Sequence, residues 1–245
     1  MTKIKREELR KNNIYNMDFR DGLDILRKKF EGEYTIITDP PYNIGFKYDN
    51  YSDDMDYDEY LEMISELQDE RLAIIHYPEE TIQYFSQSLG VPDEVNVWCY
   101  NSNLPGRQSR LINYYNMVPN YNNVLQPYKN PNDARIQERI KNGKTGARSY
   151  DWFSDIQLMK NVEKTDIQHP CPVPVELMER IILLTTEKGD LVVDPFMGSG
   201  TTAIACIRTG REYIGFELSE KYCEIAKRRI EKELKYGYIP ITLGL

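Results

Sequence analysis

Cysteine, histidine and long apolar runs are all scarce in this chain of 245 residues. Its four cysteines, Cys99, Cys171, Cys206 and Cys223, show no CxxC spacing, and there are only two histidines. That combination indicates neither a disulfide framework nor a zinc site, and it suits a reducing cytoplasm. No stretch approaches the ~18 consecutive apolar residues that a membrane span needs. The first residues, Met1 to Glu8, are charged rather than apolar, so a cytoplasmic protein without an export signal is expected. Positive charge is also in deficit, with 31 Lys and Arg against 39 Asp and Glu, for a net −8. Taken whole, the chain is a poor match for a polyanion.

The charge is unevenly placed, however. Over residues 101–148, eight basic side chains (Arg107, Arg110, Lys129, Arg135, Arg139, Lys141, Lys144, Arg148) stand against two acidic ones, Asp133 and Glu138. This +6 block leaves −14 for the rest of a −8 chain, and it is the phosphate-facing surface the sequence offers. A solvated charged loop is the plainer alternative.

Periodicity gives the organisation. Short strands are expected at Ile14 to Asp18 and Tyr34 to Thr38, around a helix near Gly22 to Phe30 whose Leu23, Leu26 and Phe30 recur at helical spacing. A helix over Asp58 to Asp69 and strands at Leu72 to His76 and Val95 to Tyr100 follow. From Asn101 to about Thr165 the pattern dissolves into Asn, Pro, Gly, Lys and Tyr, apart from one helix around Asp133 to Lys141. Alternation then resumes: helix Val175 to Thr185, strand Leu191 to Val193, helix Thr201 to Thr209, strand Arg211 to Phe216, and a last helix capped by Ser219. The expectation is one α/β domain, residues 1–100 and 168–245, interrupted by an insertion over 101–167.

Two strand-to-turn segments carry the chemistry. In the second, Asp194-Pro195-Phe196-Met197-Gly198-Ser199-Gly200-Thr201-Thr202-Ala203 contains GxGxxA between strand and helix, and Glu217 ends the next strand. Glycines let backbone approach a ligand, and an acid after the following strand can accept from two ribose hydroxyls. A carboxylate at Asp194 would repel a pyrophosphate but attract an ammonium, which favours S-adenosylmethionine over a dinucleotide. Too little chain follows Gly200 to supply the remaining strands, so they must come from earlier in the sequence.

The first segment, Ile36-Ile37-Thr38-Asp39-Pro40-Pro41-Tyr42-Asn43, suits an exocyclic amine on a base. The lone pair of such an amine is delocalised into the ring. Acceptors at the Asp39 carboxylate and the Pro40 carbonyl would localise it, two prolines would fix them, and Tyr42 would stack on a base flipped from the duplex.

With both turns in place the chain resembles the β-class amino-methyltransferases of DNA. In this permuted group of the DNA N-4/N-6 methylases, Asp-Pro-Pro-Tyr comes first, target recognition follows and the cofactor motif comes last. The likeness runs over essentially the full length. It implies an α/β fold, a circularly permuted Rossmann-like S-adenosylmethionine-dependent sheet with a small inserted target-recognition region. It implies Asp39, Pro40, Pro41 and Tyr42 as the catalytic turn, with Asp at its first position favouring adenine N6 over cytosine N4. Asp18 and Phe19 would lie beside the cofactor's adenine, and Asp194, Phe196, Gly198, Ser199, Gly200, Thr201, Thr202 and Glu217 would surround S-adenosylmethionine. Expected DNA contacts are Asn43, Lys47, Arg107, Arg110, Lys129 and Arg135. Double-stranded DNA is the implied partner, with a homodimer and a cognate restriction endonuclease as further candidates, and no metal is expected.

One departure stands out: where the family has a block like His-Pro-Thr-Gln-Lys-Pro, this chain has His169-Pro170-Cys171-Pro172-Val173-Pro174. Cys171 and Val173 replace the threonine and the lysine. Three other readings stay open at this level: a cytosine-N4 or RNA-base methyltransferase, a nicotinamide-dependent oxidoreductase built on the glycine-rich turn, and a catalytically silent DNA-binding relative.

Overall fold

The computed structural model describes residues 9–46, 53–159 and 173–237. Its centre is a sheet of eight strands. In chain order these are β1 (Asn13–Asn16), β2 (Thr35–Thr38), β3 (Leu72–His76), β4 (Glu94–Cys99), β5 (Ser109–Tyr115), β8 (Trp152–Phe153), β9 (Leu191–Asp194) and β10 (Glu212–Glu217). Across the sheet the order is β1-β10-β9-β2-β3-β5-β4-β8. Neighbours are parallel except around β5, which runs antiparallel to both β3 and β4. Every residue of β2, β3 and β9 is buried, as the continuous apolar runs of central parallel strands require.

Because successive side chains point to opposite faces, each strand feeds two cores. Ile37, Ala73, Ile75 and Val192 pack with Leu177 and Ile181 of α5 (Val175–Thr185) and Ile204 of α6 (Thr201–Thr209). Ile36, Ile74 and Val193 pack on the other face with Leu23 and Leu26 of α1 (Phe19–Phe30) and Ile64 of α2 (Tyr57–Ser65). Phe85 joins them from α3, a helical stretch built of Pro78–Glu80, a π-helical segment Thr81–Phe85 and Ser86–Ser88. The last helix, α7 (Glu220–Tyr236), starts at Ser219, whose hydroxyl caps Tyr222 N. Among the described residues no helix is long and apolar enough to cross a membrane.

Two expectations shift. Asp18 does not extend β1: it is the N-cap of α1, accepting from Arg20 N at 2.9 Å. The segment 101–167 is not wholly an insertion, because β5 lies inside the main sheet. Its buried Asn113 and its Arg110 break the apolar signature that would have marked a core strand. The chain leaves the sheet only after Tyr115 and returns at Trp152. Between them lie a small antiparallel pair, β6 (Leu125–Gln126) with β7 (Ala147–Arg148), and α4 (Ala134–Lys141), none of whose residues is buried.

Candidate active site

Strands β9 and β2 are parallel neighbours, with Thr35 opposite Val192 and Ile36 opposite Val193. From β9 the chain proceeds to β10 on one side, and from β2 to β3 on the other. This is the point in an open α/β sheet where connections diverge and leave a crevice at the strands' carboxyl ends. Both sequence-predicted turns open into that crevice, and their side chains meet there: Thr38 donates its hydroxyl to Asp194 Oδ1 at 2.6 Å.

Asp194 is tightly held. It also accepts from the Thr202 hydroxyl at 2.5 Å and from Phe196 N at 3.0 Å, while only 3% of its surface is exposed. Burial is the dominant influence and pushes its carboxyl up to about 6, against the hydroxyl and amide donors that favour the anion. A carboxyl that binds protons more tightly folded than unfolded makes the fold progressively less stable as pH rises from about 4 to about 6, and the deficit persists above. Its size is at most roughly 3 kcal/mol, at 1.36 kcal/mol per unit of displacement. Asp194→Asn is therefore expected to unfold at higher urea concentration than the parent near neutral pH, with the gain disappearing as pH falls towards about 4. A lower urea midpoint for the variant at neutral pH would contradict this.

The glycine-rich turn is built around a second buried carboxylate. Glu217, at the end of β10, accepts from Gly198 N at 2.9 Å and from Ser219 N at 2.8 Å. Burial raises its pKa and these amides work in the opposite direction. Gly200 has φ +82°, and a Cβ there would stand 2.9 Å from that of Ala226 on α7, so the close approach requires glycine. Arg229, also on α7, donates to Ser199 O at 2.6 Å and Ser199 Oγ at 2.8 Å, bracing the turn from behind. Desolvation lowers this guanidinium to about 10. In the crevice wall, the Phe19 and Phe196 rings lie 4.8 Å apart, and Asp18 holds the Arg20 guanidinium, which keeps the Asp18 carboxyl below its usual range.

The Asp39–Tyr42 turn is scaffolded by residues that sequence reading missed. Asp53, almost fully buried, accepts from Tyr42 N at 3.2 Å and from Phe46 N. Tyr60 donates to the Pro41 carbonyl at 2.7 Å and lies 3.3 Å from His76 Nε2. His76 itself ends β3, is pushed down to about 3 by burial, and stacks neutral on the Tyr42 ring at 4.3 Å. The carboxyl end of a parallel strand was the one available signal for it. Tyr42 is thus no free platform. The residue is 7% exposed, and its hydroxyl donates to Asp39.

The expected DNA contacts scatter. Arg110 is inside, its Nη1 at 3.9 Å from Asp39 Oδ2, so a phosphate-facing role is corrected. The cause is its place on β5, whose side chains at that end point into the crevice. Arg107 lies over the Tyr77 ring at 4.4 Å and 3.3 Å from Glu80, while Asn43 turns its amide to Met55 O. Lys129 sits over Tyr150 and Trp152, and Arg135 is 90% exposed, so these two remain outward. Val173 lines the crevice; Lys47, His169 and Cys171 lie outside the described residues.

Comparisons with known proteins converge on one group. The DNA methylase family (N6_N4_Mtase) matches residues 34–228. The Type II methyltransferase M.HpaI of Haemophilus parainfluenzae is 30% identical over 224 residues, 81% of this chain and 68% of that protein. The DNA adenine methyltransferase YhdJ of Escherichia coli K12 is 27% identical over 247 residues, 89% of this chain and 83% of that one. Two solved structures share the fold. One is the modification methylase TTHA0409 of Thermus thermophilus complexed with S-adenosyl-L-methionine, with a TM-score of 0.57, 22% identity, and coverage of 92% of this chain and 97% of that one. The other is the cytosine-N4-specific PvuII methyltransferase, with a TM-score of 0.60, 18% identity, and coverage of 88% and 85%.

Proposed function

The chain belongs to the DNA methylase family, and from that premise we propose that it methylates N6 of an adenine flipped out of duplex DNA. It is an S-adenosylmethionine-dependent DNA methyltransferase. The observation that carries the methyl-transfer reading is that Asp39 and Asp194 follow neighbouring strands into one crevice, and Asp at the first position of the catalytic turn is what favours adenine within it.

The crevice suits the cofactor. Five carboxylates line it, Asp18, Asp194 and Glu217 among them with Asp39 and Asp53, which disfavours a pyrophosphate, and the Phe19 and Phe196 rings pair in its wall. Phe19 and Phe196 would hold the adenine ring, Glu217 would accept from the ribose hydroxyls, and the glycine-rich turn from Gly198 to Thr202 would close around the amino-acid end near Asp194. S-adenosylmethionine, when bound, supplies an electrophilic methyl group on a sulfonium.

The chain's own residues do the rest. The Asp39 carboxylate and the Pro40 carbonyl each accept one hydrogen of the target amine, drawing its nitrogen towards tetrahedral geometry and aiming its lone pair. Tyr60 already occupies the Pro41 carbonyl, and Tyr60 and Asp53 hold the loop, so the acceptors are fixed before the base arrives. On this reading Tyr42 exchanges its hydrogen bond to Asp39 for contact with the base. A homodimer, a cognate restriction endonuclease and a cytoplasmic setting belong to the same proposal. Expression in a methylation-free host followed by genome-wide mapping is expected to show N6-methyladenine at a short recurring site. N4-methylcytosine in its place would transfer the reading to the other exocyclic amine.

A further inference from the structure

The Arg110 side chain is only 12% exposed. Its guanidinium is caged by aromatic rings, with centroids at 5.2 Å for Tyr42, 5.2 Å for Tyr77, 5.4 Å for Trp98 and 5.9 Å for Tyr100. Its Nη1 approaches Asp39 at 3.9 Å, and its Nε is buried without a hydrogen-bond partner. Burying a guanidinium is costly, and a partly satisfied one more so; an apolar side chain of similar volume would fill the same space at less cost. The cage recovers part of that loss through the ring faces, but what the position uniquely gains from arginine is a permanent positive charge beside Asp39.

We infer that Arg110 is a positioning residue for methyl transfer, its caged guanidinium holding Asp39 as an oriented anionic acceptor. The inference rests on the adenine reading above. Asp39 needs such help. It follows a fully buried strand, and burial pushes its carboxyl up towards the neutral acid, which cannot accept from both directions. Arg110 is the largest influence in the opposite sense, followed by the Tyr42 hydroxyl. The surrounding groups do not replace it. From β9, Asp194 is a like charge; from α2 and the residue after β3, Tyr60 and Tyr77 present phenols; His76 is uncharged; Asp53 is acidic. Arg107 is one ring further out, paired with Glu80.

The test is the pH dependence of kcat for Arg110→Met and Arg110→Lys, at saturating S-adenosylmethionine and duplex DNA. An opposite charge at this range lowers a carboxyl pKa by about one to three units, so the acid limb of the Met variant is expected to move up by that amount, with activity recovering at higher pH. The Lys variant should keep its limb within about half a unit of the parent, since it restores charge without the planar fork. Asp194 titrates in the same region, but as a cofactor-side group its effect should appear in cofactor affinity, measured separately by calorimetry. A Met variant that is folded by circular dichroism and loses rate equally at every pH would reduce Arg110 to packing and overturn the inference. A second readout needs no variant of Arg110: the carboxyl 13C resonance of Asp39, assigned with Asp39→Asn, should be that of the ionised carboxylate at neutral pH in the parent protein. A carboxyl still protonated at neutral pH would overturn the inference whether or not the Met variant folds. Failure of the parent to methylate adenine would sink the functional reading, and the carboxyl resonance would still decide the charge of Asp39.

Discussion

Asp39→Ala is expected to lower the rate of methyl transfer at least about a hundredfold while leaving S-adenosylmethionine affinity within a few fold of the parent, because removing one preorganised polar group from a reacting centre typically has that effect. The separation of rate from affinity follows from geometry. Asp39 enters the crevice from the β2 side, beside Tyr42 and Arg110, whereas the glycine-rich turn and Glu217 belong to β9 and β10. The alanine variant has a second consequence. It leaves the Arg110 guanidinium buried without its counter-charge, and removing one partner of a buried pair destabilises by about 3 to 5 kcal/mol. Asp39→Asn keeps the shape and one acceptor oxygen while removing the same counter-charge, so the difference between the two variants separates loss of the side chain from loss of the charge. Single-turnover methylation of duplex DNA, set against calorimetric cofactor binding, measures both quantities. Retention of more than a few per cent of the parent rate by a folded Asp39→Asn and Asp39→Ala pair would show that this carboxylate does not localise the amine lone pair.

How far the sequence disclosed this site depends on how local each signal is. Ile36-Ile37 and Leu191 to Val193 are short apolar runs leading into Asp-Pro, so both strands and both turns were legible, and the structure pairs β2 with β9. Glu217 and the Ser219 cap were legible for the same reason. Strand β5 was not, because Arg110 and Asn113 point into the interior from a strand whose composition reads as a loop, and one-dimensional charge counting assigns every arginine to the surface. The π-helical segment after Tyr77 has no apolar period that a 3.6-residue template detects. Asp53, Tyr60, His76 and Arg229 act through contacts spanning 11 to 30 positions, and no local spacing encodes such a contact. Arg110 is the instructive case. Charge counting along the chain groups it with a basic surface block, yet its place beside Asp39 makes it part of the chemistry.

With Arg110 inside the crevice and Arg107 paired with Glu80, the proposed DNA-facing role falls to the arm between Tyr115 and Trp152. Lys129, Arg135, Arg139, Lys141, Lys144 and Arg148 are all exposed, and α4 buries nothing, so this helix gains little from the core and presents charge outward. Its ion pair between Arg135 and Asp133, with the arginine 90% exposed, contributes little stability and leaves the guanidinium available. Tyr150 and Trp152 stack within 8° of parallel under Lys129, offering flat aromatic surface at the base of the arm. The rest of the chain is acidic in net charge, so on the proposed reading this arm supplies the phosphate contacts. Replacing Lys129, Arg135, Arg139 and Lys144 together by glutamine is expected to reduce the slope of log K against log salt by about 0.9 for each phosphate no longer neutralised, or roughly 3 to 4 in total. At about 0.1 M salt that corresponds to an affinity loss on the order of a thousandfold, shrinking as salt rises towards about 1 M. Since none of the four is buried, thermal stability should change by no more than about 0.5 kcal/mol per site, and the loss can be read as binding. Fluorescence anisotropy with duplex DNA across a salt series tests this: an unchanged slope in the quadruple variant would show that the arm does not carry the phosphate contacts.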